Sequence, residues 1–314
     1  LSVYQEHFGL KTPPFGLTPD THFFFALASH QAALNMLMVA LRSGEGFLKV
    51  TGEVGLGKTT VCRMLMRNLA SDTTAKWATA YLPNPTRSRG ALISMVAEEL
   101  GCQTDPANRQ ESEFLLAHIQ KKLLANAESG IRTVLIVDEA QALADEVLEA
   151  LRLLTNLETE HDKLLQLVLF AQPELDQRLK QPQLRQLRQR ISFAHQITPL
   201  SAAEFRAYVD HRIMVAGGAP LLFPRRVVDL ICGACGGVPR LGNILCHKAL
   251  MAAFGPGHAT VSLRDAMAAI EDTEGARIQI WQWPVILVRE YGAMLALAVS
   301  LGFAVALMIS ILRS

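Results

Sequence analysis

A glycine-rich stretch in the first fifth of the chain carries the clearest chemistry. Residues 52–59 read GEVGLGKT and match the pattern G-x-x-x-x-G-K-[ST]. The glycines let the backbone turn tightly, so that successive N–H groups and the start of the next helix face a phosphate. Lys58 would reach the β- and γ-phosphates of a nucleotide, and the Thr59 hydroxyl would hold Mg²⁺. The candidate nucleotide-binding residues here are Gly52, Glu53, Val54, Gly55, Leu56, Gly57, Lys58, Thr59 and Thr60.

An acidic pair later in the chain supplies the second metal ligand that such a loop needs. Asp138 and Glu139 end the apolar run TVLIVDE, and a phosphate-binding loop needs a carboxylate on its Mg²⁺ at the end of a strand. We therefore assign Asp138 to the nucleotide site and, with Thr59, to the metal. Glu139 next to it can polarise the attacking water, which predicts hydrolysis and not binding alone. The alternative is a pair of solvated acids at a strand end.

A polar residue closes another apolar run. Gln172 follows LLQLVLFA, and if that strand lies beside the strand of the glycine-rich loop, its side chain points at the γ-phosphate and can orient water. An ordinary polar residue at a strand-to-turn junction is the alternative.

Arginines at two places are further candidates. In QPQLRQLRQRISF one helical face carries Leu184, Leu187 and Ile191. The arginines lie off this face, at Arg185, Arg188 and Arg190. Such an arginine can be presented to the nucleotide of a neighbouring subunit, whereas a solvated basic face is the other interpretation. Arg240 begins a predicted helix in GGVPRLGN and would reach back to the phosphates, unless it is a surface arginine.

The elements that must position these residues follow an alternating order. Apolar runs predict five strands, over residues 46–52, 75–82, 132–140, 164–172 and 192–199. Helical patterns separate them, among them one over 145–157, which predicts an α/β fold with a parallel sheet flanked by helices. After Pro199 only helical patterns remain. The predicted organisation is an N-terminal segment (1–45), a P-loop core (46–199), an all-helical lid domain (200–275), a juxtamembrane linker (276–290) and a C-terminal transmembrane helix (291–312).

The last of these segments is uncharged. Residues 291–312 form a run of 22 residues without a charge. At about 1.5 Å per residue a helix of this length covers about 33 Å, enough for a hydrocarbon core of about 30 Å. A buried core helix is the alternative, but a core helix rarely stays apolar on every side over such a length.

Composition limits the partners. The chain has 30 basic and 29 acidic residues, so its net charge is +1 and nothing favours nucleic acid as a partner. Its five cysteines are scattered and odd in number, which makes a poor disulfide framework. Cys232, Cys235, Cys246 and His247 are a conceivable zinc set, but their apolar helical surroundings favour small buried cysteines.

Taken together, the motifs resemble those of an AAA+ ATPase. The blocks HFGLKTPPFGLTPDTHFFFA, EGFLKVTGEVGLGKTT, LIVDEAQAL, AQPEL, LRQRI and GGVPRLGN are similar to the ExeA/GspA-like family of bacterial secretion ATPases, over about residues 1–275. The resemblance implies an oligomer that uses ATP and Mg²⁺ at the bacterial inner membrane, with its ATPase domain in the cytoplasm. It would assemble an envelope machine, either a type IV pilus of the mannose-sensitive haemagglutinin kind or a type II secretion-like system, and bind inner-membrane or secretin-associated components of that machine.

The resemblance also ranks the polar candidates. It implies Arg190 as the arginine finger, with Arg185 second, Arg240 as the sensor-2 arginine and Gln172 as the sensor-1 residue. Ala171 stands where the family usually has glycine, a departure next to Gln172.

Two other functions remain open at this stage. A DNA-associated AAA+ helper, such as a transposition regulator, would want a basic patch or a winged-helix module, and neither is visible in the sequence. A nucleotide-dependent adaptor that hydrolyses little is disfavoured by Glu139. The letters DEAQ also occur in helicases, but a second parallel-sheet domain is missing from residues 200–314.

Overall fold

A computed structural model describes residues 4–16, 21–23, 25–83, 88–102, 112–158 and 163–277. Its centre is a five-stranded sheet in which every pairing between neighbours is parallel. The strands are β1 (Phe47–Thr51), β2 (Lys76–Leu82), β3 (Ile131–Val137), β4 (Gln166–Ala171) and β5 (Phe193–Gln196). Their order is β2-β3-β4-β1-β5, so β4 lies between the strand before the glycine-rich loop and the strand before the acidic pair. The predicted parallel α/β sheet is confirmed.

Helices cover both faces of the sheet. They are α1 (Ala28–Arg42), α2 (Lys58–Ala70), α3 (Arg89–Glu99), α4 (Ser112–Glu128), α5 (Asp145–Leu154), α6 (Glu174–Arg178) and α7 (Arg185–Arg190). Successive residues of β3 point to opposite faces: Val134 and Ile136 pack with α1 and α2, whereas Leu135 and Val137 pack with α3, α4 and α5. A strand buried on both faces reads as a continuous apolar run, which is why β3 and β4 were recognisable.

Several predicted elements end earlier than expected, and the strand predicted over 132–140 ends at Val137. The strand predicted over 192–199 is only Phe193–Gln196, an edge strand whose residues are mostly exposed. The helix predicted over 145–157 ends at Leu154, where the Thr155 hydroxyl donates to the Arg152 carbonyl.

The chain after the sheet is helical. It forms α8 (Ala202–Val215), α9 (Arg225–Cys235), α10 (Pro239–Phe254) and α11 (Leu263–Glu271). Ser201 begins α8 with a capping box to Glu204, and Ser262 begins α11 with one to Asp265. These four helices, called the helical lid below, match the helical patterns of the sequence.

The N-terminal segment packs on the helical lid. Tyr4, Phe8, Leu10 and Phe15 share one buried apolar cluster with α8, α9, α10 and α11. The backbone N–H of Lys11 donates to the carbonyl of Ala216 over 2.8 Å. Residues at the start of the chain are therefore part of the core of its far end.

Three cysteines lie in that same cluster. Cys232, Cys235 and Cys246 are buried free thiols, and burial raises the pKa of Cys235 to about 12. Within the described residues, no group of three or more histidine, cysteine or acidic side chains could hold a metal ion. These positions are buried, as the apolar surroundings indicated.

The predicted transmembrane helix, 291–312, lies outside the described residues, as does most of the linker 276–290. Of the helices that the structure describes, none combines the length and the apolar character needed to cross a membrane.

Candidate nucleotide site

The glycine-rich loop connects β1 to α2. Gly55 and Gly57 have φ of 84° and 88°, in the left-handed region that favours glycine. The loop also has little room: a Cβ on Gly57 would approach Cε1 of His30 to 2.9 Å. His30 Nε2 lies 2.7 Å from the Leu56 carbonyl, and since a carbonyl only accepts, the ring N–H donates. The loop is thus fixed by conformation and by contact with α1.

Lys58 lies inside the loop. Its Nζ donates to the carbonyls of Gly52 (2.7 Å) and Glu53 (3.0 Å), and the residue is only 5% exposed. Burial lowers the pKa of Lys58, against the opposing pull of the Glu139 and Asp138 carboxylates. A phosphate in the loop would favour the charged ammonium further, because an opposite charge nearby stabilises it.

Asp138 and Thr59 meet across the site. The Thr59 hydroxyl donates to Asp138 Oδ2 over 2.8 Å, and the Glu139 N–H donates to Asp138 Oδ1 over 2.9 Å. Asp138 is only 2% exposed, and burial raises its pKa. A buried carboxylate beside a hydroxyl offers the oxygen ligands that Mg²⁺ prefers, and a cation would offset the cost of burying the charge. The residues present therefore fit a magnesium ion.

Glu139 has a strained backbone and two amide partners. Its φ is 52°, and a non-glycine residue in the left-handed region costs on the order of 1–3 kcal/mol. Its Oε2 accepts hydrogen bonds from Gln141 Nε2 (2.5 Å) and from Gln172 Nε2 (3.2 Å). Since β4 lies beside β1, the condition set for Gln172 is met, and the structure brings Gln172 to Glu139.

The helical lid touches the loop at Arg240. The backbone N–H of this residue, in the first turn of α10, donates to the Gly55 carbonyl over 3.2 Å. A Cβ on Gly55 would lie 2.8 Å from Arg240 Cβ and 3.0 Å from Val238 Cγ1. The start of α10 therefore rests directly on the loop.

A cavity of about 420 Å³ joins these groups, a volume in the range of small-molecule sites. Its phosphate end is formed by the loop and by the polar residues around Glu139, and its other end by aromatic and polar residues. Its lining includes Val54, Gly55, Gly57, Lys58, Thr59, Thr60, Glu139, Gln172, Arg240, Phe23, Phe25, His30, Tyr208, Arg212 and Asn243. The N-terminal segment, the sheet edge and the helical lid all contribute.

The far end of the cavity was missed by sequence reasoning. Arg212 is only 8% exposed, donates through Nη1 to the Tyr208 hydroxyl (2.8 Å) and stacks over Phe23. The Tyr208 hydroxyl in turn donates to Asn243 Oδ1 over 3.0 Å. Nε of Arg212 also donates to the carbonyl of Pro14, which ties the lid to the N-terminal segment. No local motif marks these residues, because their partners are distant in the sequence.

The arginines of α7 are not brought to this cavity. Arg185, Arg188 and Arg190 are exposed, and Arg190 Nη1 lies 3.4 Å from the Thr155 hydroxyl. Leu184 and Leu187 of the same segment are buried, so the predicted apolar face is confirmed. Of the loop residues, Gly52 and Glu53 meet Lys58 through their carbonyls, and Leu56 is buried.

The fold and the site have the arrangement of a P-loop ATPase domain. A phosphate-binding loop follows β1, an acidic pair follows β3, a polar residue follows the intervening β4, and the helical lid rests on the loop. Residues 41–179 match the family described as AAA domain. The matched part includes the glycine-rich loop, the acidic pair and Gln172.

A curated relative adds a finer comparison. Over 281 residues the chain is 41% identical to the general secretion pathway protein A of Aeromonas hydrophila. The match covers 89% of this chain and 50% of that protein, so the chain spans about half the length of the relative. This similarity supports the resemblance to ExeA/GspA-like ATPases.

Solved structures share the fold. The ORC2 protein of Aeropyrum pernix in its ADPNP-ADP complexes has a TM-score of 0.62 at 17% identity, over 85% of this chain and 74% of that one. Cdc6p of Pyrobaculum aerophilum has a TM-score of 0.61 at 20% identity, over 81% and 70% of the two chains. At such identities the likeness concerns the fold alone.

Proposed function

We propose that this chain couples Mg²⁺-dependent ATP hydrolysis to the assembly of a bacterial envelope machine. The observation that carries the ATPase part is the meeting of Thr59 with Asp138, and of Glu139 with Gln172, at the phosphate end of one cavity. Lys58 and the loop N–H groups bind the phosphates, and Thr59 and Asp138 hold the ion. The Mg²⁺ ion, when bound, neutralises charge on the phosphate oxygens.

Glu139 acts on the water and not on the phosphates. Its carboxylate accepts a proton from the attacking water, and Gln172 holds that carboxylate and the water in place. Lys58→Ala should abolish ATP binding, whereas Glu139→Gln should keep binding and trap ATP. Equal loss of binding in both variants, measured by calorimetric titration with Mg·ATP, would refute the separate roles.

The assembly role is supported by the secretion-pathway relative and by the sequence blocks. These blocks resemble MshM, the ATPase of mannose-sensitive haemagglutinin pilus biogenesis, and the relative is named for general secretion. Inner-membrane or secretin-associated components of a pilus or secretion machine are the partners we propose. A pull-down from membranes with wild type and with Glu139→Gln would identify the proteins with which the ATPase associates. A set of partners without envelope components would contradict this role.

Membrane anchoring is proposed from the sequence of residues 291–312. A single span at the bacterial inner membrane would leave the ATPase domain in the cytoplasm, where ATP is. Deleting 291–314 should leave nucleotide binding intact and abolish envelope assembly. Release of the full-length chain from membranes by carbonate or high salt would show that this segment does not span.

Catalysis shared between copies of the chain is the last part of the proposal. Arg190, or else Arg185, would reach the nucleotide of a neighbouring subunit, and both are exposed and away from the cavity of their own chain. The sensor-2 role proposed for Arg240 is supported by its place on the cavity wall.

A DNA-associated helper remains the alternative. The solved structures with this fold include the ORC1 protein of Aeropyrum pernix in complex with DNA, at 19% identity and a TM-score of 0.61 over 82% of this chain and 68% of that one. The net charge of +1 offers no basic excess for such a partner. A DNA titration at several salt concentrations separates the two functions, since phosphate binding weakens steeply with salt.

A further inference from the structure

Gln141 is a residue of the site that the motifs did not assign. It lies in the 3-10 helix Ala140–Ala142, directly after the acidic pair. The left-handed backbone of Glu139 reverses the chain, and the Ala142 N–H closes the turn on the Glu139 carbonyl over 3.0 Å. This turn brings the side chain of Gln141 back onto the carboxylate of Glu139.

The amide of Gln141 bridges two groups of the site. Its Nε2 donates to Glu139 Oε2 over 2.5 Å, and its Oε1 accepts from the backbone N–H of Gln172 over 3.0 Å. A flipped amide would set an oxygen against the carboxylate and an NH₂ group against an N–H donor, so the network fixes one orientation. The bridge connects Glu139, the second residue after β3, to Gln172, the first residue after β4.

The backbone of the turn is held as well. Arg178 of α6 donates through Nη1 to the Gln141 carbonyl (2.8 Å) and through Nη2 to the Leu143 carbonyl (2.7 Å). Its guanidinium also pairs with Asp145. The Gln141 side chain therefore projects from a turn that is fixed on its other side.

We propose that Gln141 is the positioning residue for Glu139. Both amides, of Gln141 and of Gln172, bind the same carboxylate oxygen, Oε2, so that Oε1 is directed to the attacking water. This inference rests on the proposed function, in which Glu139 accepts the proton of that water. Without the bridge, the Glu139 side chain gains rotamers in which neither oxygen meets the water, and turnover falls although ATP still binds.

The test uses two variants of the full chain and a matched control. Gln141→Ala removes the bridge, and we expect kcat to fall about 10- to 100-fold with the KM for ATP and the ATP affinity unchanged. Gln141→Glu keeps the shape and the acceptor for the Gln172 N–H, but sets a second carboxylate against Glu139. Repulsion between the two carboxylates should turn Glu139 away from its position, so kcat should fall at least as far as in Gln141→Ala, with the ATP affinity unchanged. Gln177→Ala, an exposed glutamine on α6, should behave as wild type.

The outcomes separate this inference from the proposed function. If Gln141→Ala keeps kcat within about twofold of wild type while Glu139→Gln loses turnover, the positioning role is overturned and the hydrolytic role of Glu139 stands. If Glu139→Gln itself turns over as wild type, the proposed function fails first. Loss of ATP affinity and melting temperature in step with kcat would make Gln141 a structural residue only. Should Gln141→Ala not fold, Gln141→Glu decides, since a wild-type kcat in that variant contradicts the contact.

Discussion

Replacing Gly55 by alanine tests the contact between the loop and the helical lid. The added Cβ would lie 2.8 Å from Arg240 Cβ and 3.0 Å from Val238 Cγ1, closer than carbon atoms pack. The start of α10 must therefore move away from the loop, and the hydrogen bond from the Arg240 N–H to the Gly55 carbonyl is lost. The φ of 84° adds a second cost, since left-handed backbone is unfavourable for alanine by about 1–2 kcal/mol.

Gly44 provides a matched control. Its φ is 81°, but a Cβ there would find nothing within 4 Å. Gly44→Ala therefore has the backbone cost alone, whereas Gly55→Ala has the backbone cost, the lost hydrogen bond of about 1 kcal/mol and the displaced cavity wall. The difference between the two variants isolates the contact.

The assay compares unfolding and binding. Urea unfolding should show both variants less stable than wild type by about 1–2 kcal/mol, with Gly55→Ala the lower by about 1 kcal/mol more. Calorimetric titration with ATP should give wild-type affinity for Gly44→Ala and a Kd raised about tenfold for Gly55→Ala, which corresponds to about 1.4 kcal/mol. If the two variants bind ATP equally well, the lid contact does not shape the nucleotide site and the reasoning is wrong.

Two further predictions concern other parts of the molecule. Arg190→Ala should lower turnover severely, by about 10³-fold or more for an arginine finger, with ATP affinity kept. Mixing it with Lys58→Ala should restore some activity, and a turnover independent of protein concentration without rescue would indicate a monomeric enzyme. Burial lowers the pKa of His30 in the folded protein. As the pH falls, this histidine is therefore protonated in the unfolded chain before it is protonated in the folded one. Stability from this residue is complete above pH about 6.5 and is lost as pH falls below it, by at most about 1.4 kcal/mol per pH unit. His30→Gln should flatten urea midpoints measured from pH 7 to 5, and an unchanged slope would contradict the assignment.

Local patterns made the sheet and its phosphate end predictable. The strands β3 and β4 are buried on both faces, so each appears in the sequence as a continuous apolar run. The carboxyl ends of parallel strands meet at one edge, which is why residues after different strands, such as Asp138 and Gln172, could be assigned to one site. The edge strand β5 was less predictable in extent, since its residues are mostly exposed and only one neighbour specifies its length.

The part of the site that the sequence did not predict is formed by contacts between residues that are distant in the chain or that depend on a particular backbone turn. Arg212 and Pro14 are 198 positions apart, and an arginine in a helical pattern gives no sign that it will be buried against the first residues of the chain. Gln141 is only two residues after Glu139 in the sequence. Its amide reaches the carboxylate only because the Glu139 backbone forms a turn. Local spacing indicates such a contact only when the backbone conformation is already known.

The cavity has three walls, and hydrogen bonds link each pair of neighbouring walls. His30 joins the N-terminal segment to the loop, Arg212 joins that segment to the lid, and Arg240 joins the lid to the loop. If the chain hydrolyses ATP as proposed, substrate and product share the same base and sugar and differ only in the γ-phosphate. A ligand shifts a conformational equilibrium only by its differential affinity for the two states. On the proposed function, we therefore expect the lid to respond to hydrolysis through the Arg240 contact, because this contact lies at the phosphate end of the cavity.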